Sequence, residues 1–266
     1  MRLKISHTTR YDYRDPVPYG LQQVRLRPDT SATQTVSRWT VAIDGGREEV
    51  AFRDQHQNLV DLISVDPDAR TVSIRCEGDV ETRDSAGVFG PHAGFTPLWY
   101  FLRETALTRP GAGIAALIKP LVKAKHEPIE QLHVLSKAIT AVMPYSTQGT
   151  HSATTAEESL GAGSGVCQDH AQVFIAAARE LGYPARYVSG YLMMDDRVDQ
   201  EASHAWAEAH IEGLGWVGFD VSNCIAPDER YVRIATGLDY REAAPVSGVV
   251  FGGGTESMIV SLQVQQ

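Results

Sequence analysis

Across residues 167–222 the hydrophobic period changes once, and that change limits this stretch to a helix followed by strands. In "CQDHAQVFIAAARELGYP", Ala171, Phe174, Ala178 and Leu181 recur at helical spacing, and Gly182 followed by Pro184 marks the stop. The next three runs, "ARYVSGYLM" (185–193), "HAWAEAHIEG" (204–213) and "WVGFDVS" (216–222), read as strands. In the second run His204, Trp206, Glu208 and His210 share one face, and Ala205, Ala207 and Ala209 form the other. In the third, Val217 and Phe219 oppose Trp216, Gly218 and Asp220. A hairpin turning near Gly213-Leu214-Gly215 therefore sets a histidine and an aspartate on one sheet face. A turn confined to 213–215 pairs Asp220 with Glu208. Bringing His204 opposite Asp220 centres the turn on Glu212 or needs a bulge.

Cys167 stands in the first turn of that helix, directly after "GAGSGV". A helix N-terminus presents unpaired N–H groups and about half a positive charge, which favours thiolate over thiol. The same N–H groups can receive an oxyanion when a thiolate attacks a carbonyl. Gly161, Gly163 and Gly165 fit this reading because a missing Cβ lets substrate and backbone approach. Phosphate binding fails on the residues: Val166 occupies the third glycine position of a dinucleotide loop, and no Lys-Ser/Thr follows as in a P-loop. Cys167, His170 and His204 offer zinc-ligand chemistry, but no CxxC or HExxH supports a site. Cys76 shares a strand face with Val72 and Ile74 and reads as core, and Cys224 reads as packing. His170 reads as incidental in the first turn, and Asp169 and Glu208 as solvated or locally paired side chains.

Upstream, "LKISHTTRY", "RWTVAID" (38–44), "NLVDLISV" (58–65) and "ARTVSIRCEGDVETR" (69–83) alternate or are β-rich between turn signals, so residues 1–85 read as a small β-sandwich. Residues 86–266 then comprise a Gly-, Pro- and aromatic-rich connector without clear period, an amphipathic helix over 128–143, the α-then-β unit and a last strand, "MIVSLQV". The net charge of −9 argues against nucleic acid as the main partner. Residues 1–53 carry nine Lys/Arg against six Asp/Glu, an imbalance read as solvated surface. The opening residues lack the apolar core of a signal peptide, and no run approaches the roughly 18 apolar residues of a membrane span, so a cytoplasmic protein without membrane association is expected. Three cysteines are too few for a disulfide scaffold and suit a reducing compartment.

"GSGVCQDHAQVFIAAARELGYPARYVSGY" followed by "SHAWAEAHIEGLGWVGFD" resembles the core of bacterial transglutaminase-like proteins, within the papain-like cysteine peptidase and transglutaminase superfamily. The opening "HTTRYDYRDPVPYGLQQVRLRP" is similar to the β-rich N-terminal region often fused to that core. The resemblance implies an α+β, papain-like core whose cysteine-bearing helix packs on an antiparallel sheet, with its motifs in 145–223. By position it makes Cys167 the nucleophile, His204 rather than His210 the base, and Asp220 the orienting carboxylate. Tyr145, Gln168 and Trp206 are candidates for the oxyanion and substrate side; Trp206 and Trp216 share the proposed catalytic face, where an aromatic ring can shield the site from water, but both read first as packing. Val221 departs from the proline that many relatives carry after the aspartate. The implied activity is cleavage of a peptide or isopeptide amide in a peptide or protein substrate through a thioester, without a cofactor or metal. An acyl transferase and a catalytically silent peptide-binding module are the alternatives. The calcium dependence of animal transglutaminases has no visible counterpart in the residues.

Overall fold

A computed structural model describes residues 1–124, 126–195, 197–200 and 202–266. The alternation of the first 82 residues produces six strands: β1 (Arg2–Val17), β2 (Tyr19–Arg27), β3 (Gln34–Asp44), β4 (Gly46–Arg53), β5 (Leu59–Val65) and β6 (Ala69–Thr82). Next come β7 (Val88–Gly90), a 3₁₀ turn at Leu98–Leu102, and the helices α1 (Ala112–Lys123), α2 (Pro128–Val142), α3 (Ala156–Ala162) and α4 (Cys167–Glu180). The chain then runs through β8 (Ala185–Leu192), β9 (Asp199–Gln200), β10 (His204–Ile211), β11 (Gly215–Phe219), β12 (Tyr231–Gly237), α5 (Tyr240–Ala243), β13 (Val246–Phe251) and β14 (Glu256–Gln265).

Two sheets, ordered β3-β6-β1-β14-β9 and β13-β2-β5-β4, form the β-rich unit. Their inward faces meet in a core of Val24, Leu26, Ile63, Ile74 and Cys76, so Cys76 is the small hydrophobe that its strand face implies. The last two strands, at the far end of the sequence, return to this unit: β14 pairs along β1 from Lys4↔Gln265 to Tyr13↔Glu256, and β13 pairs with β2. Uncovered β1 and β2 would each present a row of unpaired backbone groups at a sheet edge.

A third sheet, β12-β8-β10-β11-β7, carries the helices. Ala205, Ala207 and Ala209 of β10 are buried in one core with Ala171, Phe174 and Ala178 of α4, because small side chains let helix and sheet approach closely. Phe174 stacks on Phe219 with centroids 5.0 Å apart. Around α4 pack α1, α2 and α3. The amphipathic helix over 128–143 is α2, burying Leu132, Leu135 and Ile139, with Pro128 in its first turn. Between the aromatic-rich connector and α2 lies α1. It contains Pro120, and its first turn is capped from a distance: the Glu157 carboxylate accepts from the backbone N–H groups of Gly111, Gly113 and Ile114 at 2.7–3.0 Å.

The β10–β11 hairpin follows neither sequence-derived register. Ile211 pairs with Gly215 and Ala207 with Phe219, so the turn is centred on Gly213, whose φ is +81°. Continuing this ladder sets Asp220 across from Trp206. His204, two residues earlier on the same face, then lies on the diagonal to Asp220, within reach of a long side chain without any bulge between β10 and β11.

Candidate active site

Cys167 is the first residue of α4 and half-buried on the wall of a cavity of about 660 Å³. Its loop is held from both sides. The Val166 N–H donates to Asp169 Oδ2 at 2.8 Å, and Ser146 N donates to the Gly165 carbonyl at 2.9 Å, bringing Tyr145 alongside. The glycines before the cysteine serve the backbone rather than substrate approach. Gly161 lies inside α3, and Gly163 caps that helix in the left-handed conformation. A Cβ on Gly165 would sit 2.6 Å from Met143 Cε and 2.7 Å from Asp169 Cβ. Asp169 is thus buried and locally paired, fixing the turn that presents the thiol.

His204 opens β10 at the same end of the sheet. Its Nε2 lies 2.6 Å from Asp220 Oδ2, which leaves Nδ1 for its hydrogen bond with Cys167. Burial works against the imidazolium, yet the hydrogen bonds and charges of Asp220 and Cys167 outweigh it and push the His204 pKa up to about 10. Asp220 is 1% exposed and fully engaged. Tyr231 Oη and Asn223 Nδ2 each donate to Oδ2 at 2.7 Å, and the Asn223 N–H donates to Oδ1 at 3.2 Å. Burial raises the carboxyl's pKa, but these donors and the His204 charge hold it below the usual carboxylate range. Asn223 lies in the loop after Asp220. Tyr231 comes from β12, and nothing in its local sequence marks it.

Other expected site residues scatter. Tyr145 and Gln168 line the cavity with Cys167. Trp206 is buried beside His204, with ring centroids 6.4 Å apart, and packs against Val188, Leu192 and Tyr231 rather than lining that cavity. Trp216 is also away from it: the Arg186 guanidinium lies 3.9 Å over its ring, and His210 faces it edge-on at 5.5 Å. Period-two spacing puts these rings on the His204 face but carries each farther from the thiol. Glu208 is wholly buried, accepting from Arg186 at 2.5 Å and Arg233 at 3.0 Å. His170 holds the fold together: Nε2–H donates to the Met143 carbonyl at 2.7 Å, and Ser222 Oγ lies 2.8 Å from Nδ1. Burial lowers the His170 pKa, which suits a neutral ring donating and accepting once each. Among the described residues no group of three or more His, Cys, Asp or Glu is placed to hold a metal.

Known proteins resemble this chain in sequence and in fold. Residues 115–221 match the transglutaminase-like superfamily, and residues 3–81 match the bacterial transglutaminase-like N-terminal region. An uncharacterized protein of Mycobacterium leprae is 26% identical over 279 residues, covering 99% of this chain and 98% of its own. An uncharacterized protein of Mycobacterium tuberculosis is 28% identical over 292 residues, covering 99% and 92%. A crystal structure of a proposed cysteine protease from Cytophaga hutchinsonii is similar in fold over 100% of this chain and 90% of that one, with a TM-score of 0.80 and 21% identity. With a cysteine-bearing helix on an antiparallel sheet, a β-rich region ahead of it and both family matches in the same order, the chain carries a core domain of the transglutaminase-like superfamily over 115–221 behind a bacterial transglutaminase-like N-terminal region over 3–81.

Proposed function

We propose that this protein is a cysteine-dependent hydrolase of peptide or isopeptide amides, with Cys167 as nucleophile, His204 as proton carrier and Asp220 as orienting carboxylate. The observation that carries the reading is the hydrogen-bonded run from Cys167 through His204 to Asp220, ending on a cavity open to a substrate. The Cys167 thiolate attacks the scissile carbonyl carbon, and the oxyanion forms beside the first-turn N–H groups of α4, which have no carbonyl one turn earlier. As the C–N bond breaks, His204 gives its Nδ1 proton to the departing amine and a thioester remains. Water then attacks the thioester, losing a proton to His204. The C–S bond breaks, the acid leaves and the thiolate–imidazolium pair returns. Throughout, Asp220 keeps Nδ1 turned to the sulfur. The direct test is turnover of a library of internally quenched peptides and isopeptides by the wild type against Cys167→Ala. Equal rates would remove the proposal.

Alkylation separates reactivity from accessibility. With iodoacetamide near pH 6, Cys167 is expected to label first, although Cys224 is the exposed thiol and Cys167 only half-buried. Burial pushes the Cys76 thiol up to about 12 and keeps it inert. Peptide mapping by mass spectrometry reads the order, and labelling chiefly at Cys224 would contradict the assignment.

Hydrolysis is expected to exceed amine transfer. Both outcomes share the thioester, and transfer wins only where the site excludes water and holds the amine. The two indoles that could have covered the sulfur, Trp206 and Trp216, lie off the cavity. Water at roughly 55 M then competes against a millimolar amine unless positioning supplies a large effective molarity. Acid and amide products from one acyl donor with dansylated amine measure the partition. Amide in excess at millimolar amine would make the protein a transferase.

A further inference from the structure

The cavity at Cys167 has one wall from the transglutaminase-like core and the other from the β-rich unit. On β1, His7, Thr9 and Tyr11 alternate onto the cavity face. On β14, Met258 pairs with Tyr11 and Val260 with Thr9, and both also line the cavity. None of these five lining side chains carries a formal charge; the carboxylate of the same face, Glu256, pairs with Tyr13 one step beyond them, and its charge reaches Tyr11. His7, the one titratable base among the lining side chains of this wall, has Nδ1 2.8 Å from Tyr191 Oη and Nε2 3.0 Å from Thr9 Oγ1. Burial lowers its pKa to about 4, so the ring is neutral near pH 7. Val246 and Tyr240 continue the lining toward α5. Among the described lining residues outside the Cys167–His204 pair, the charged ones are Arg197 and Asp199, on the segment between β8 and β10, and Asp199 accepts from Gln263 at 2.8 Å.

Resting on the hydrolase reading of the same site, we infer that the β1–β14 face of the β-rich unit is the specificity wall of the active site, selecting substrates whose scissile amide is flanked by uncharged, apolar side chains. An aliphatic or aromatic side chain entering between Tyr11, Met258 and Val260 sheds water against apolar surface. A carboxylate or ammonium there is desolvated with no ionic partner among those three side chains. The β-rich region is thereby part of the catalytic unit, and β14 covers β1 to complete one substrate-facing surface.

The test uses the full chain and internally quenched peptides, Ala-Ala-Xaa-Xaa-Ala-Ala, differing only in the central pair: Leu, Phe, Gln, Glu or Lys. The expected kcat/KM for Leu and Phe exceeds that for Glu and Lys by about 30-fold or more. Met258 is more than half exposed, so charged replacements there leave the core packed. Met258→Lys is expected to narrow the Leu-over-Glu preference about 10-fold, and Met258→Glu to narrow Leu-over-Lys by a similar factor. A structural defect would instead lower all five rates together. Affinity of the same peptides for Cys167→Ala separates the two readings. Discrimination in binding without turnover by the wild type keeps the wall and removes the hydrolase. Equal affinities, no measurable binding of the Leu and Phe peptides, or preferences that ignore the charge placed at 258 would overturn the wall.

Discussion

His204→Ala is expected to lower kcat/KM for amide cleavage by at least about 10³-fold, whereas His210→Ala changes it less than about 3-fold. The two histidines stand six residues apart on one strand face, yet their surroundings differ completely. Asp220 and Cys167 hold His204 as an imidazolium, while His210 lies edge-on to Trp216 with its pKa lowered, chiefly by burial. Asp220→Asn is expected to keep the fold and cost about 10²–10⁴ in rate, because an amide that turns its NH₂ to Nε2 makes that nitrogen the acceptor, keeps the proton on Nδ1 in the wrong tautomer and no longer stabilises the imidazolium. The pH profile gives a second reading. In the wild type the imidazolium persists until pH rises through about 10, so the alkaline limb of kcat/KM lies there. In Asp220→Asn it moves down toward the ordinary histidine value near 6.5. The sign for stability is the same. A folded pKa raised above the unfolded one contributes stability that is fully present below about pH 6.5 and fades as pH climbs to about 10. An inactive His210→Ala, or an unmoved alkaline limb in Asp220→Asn, would displace His204 from its role.

The second large effect concerns stability. Glu208→Ala is expected to destabilise the protein by about 3–5 kcal/mol, read as a fall in Tm on the order of 10 °C. Glu208 is wholly buried between Arg186 and Arg233 on the sheet that carries His204. Burial favours its neutral acid, but the two guanidiniums hold its carboxyl below the usual range. Removing it strands two cations. Burial already lowers the Arg186 pKa to about 10, and that side chain is pinned over the Trp216 ring. Urea unfolding followed by tryptophan fluorescence measures the loss, and a change below about 1 kcal/mol would mean that water reaches the cluster and solvates the guanidiniums.

The same residues show where reading from sequence stops. In α4 the helical spacing of Ala171, Phe174 and Ala178 and the Gly182–Pro184 stop each depend on neighbours within a turn or two, so helix, boundary and the N-terminal place of Cys167 were all legible. In β10 the alternation correctly separated the alanine face from the face of His204, Trp206, Glu208 and His210. It could not distinguish a buried ion-paired Glu208 from a solvated one, because Arg186 and Arg233 arrive from β8 and β12. It also placed Trp206 and Trp216 on the site's face without saying which end of that face holds the sulfur. The hairpin register escaped for a related reason. Both sequence-derived alternatives assumed direct opposition of paired residues, and the observed contact is diagonal.

What the sequence determined by itself was local or motif-bound: periods, turns, the cysteine at a helix start, and the three separated elements whose order resembles the transglutaminase-like core. Tertiary structure alone decided that β14 closes over β1, that Glu157 caps α1, that Tyr231 holds Asp220, and that β1 and β14 wall the cavity before Cys167. These contacts join residues from about 11 to more than 240 positions apart in the chain. Short-range preferences do not encode such pairings. Burial of shared apolar surface and the pairing of otherwise unsatisfied polar groups select them only once the whole chain is packed.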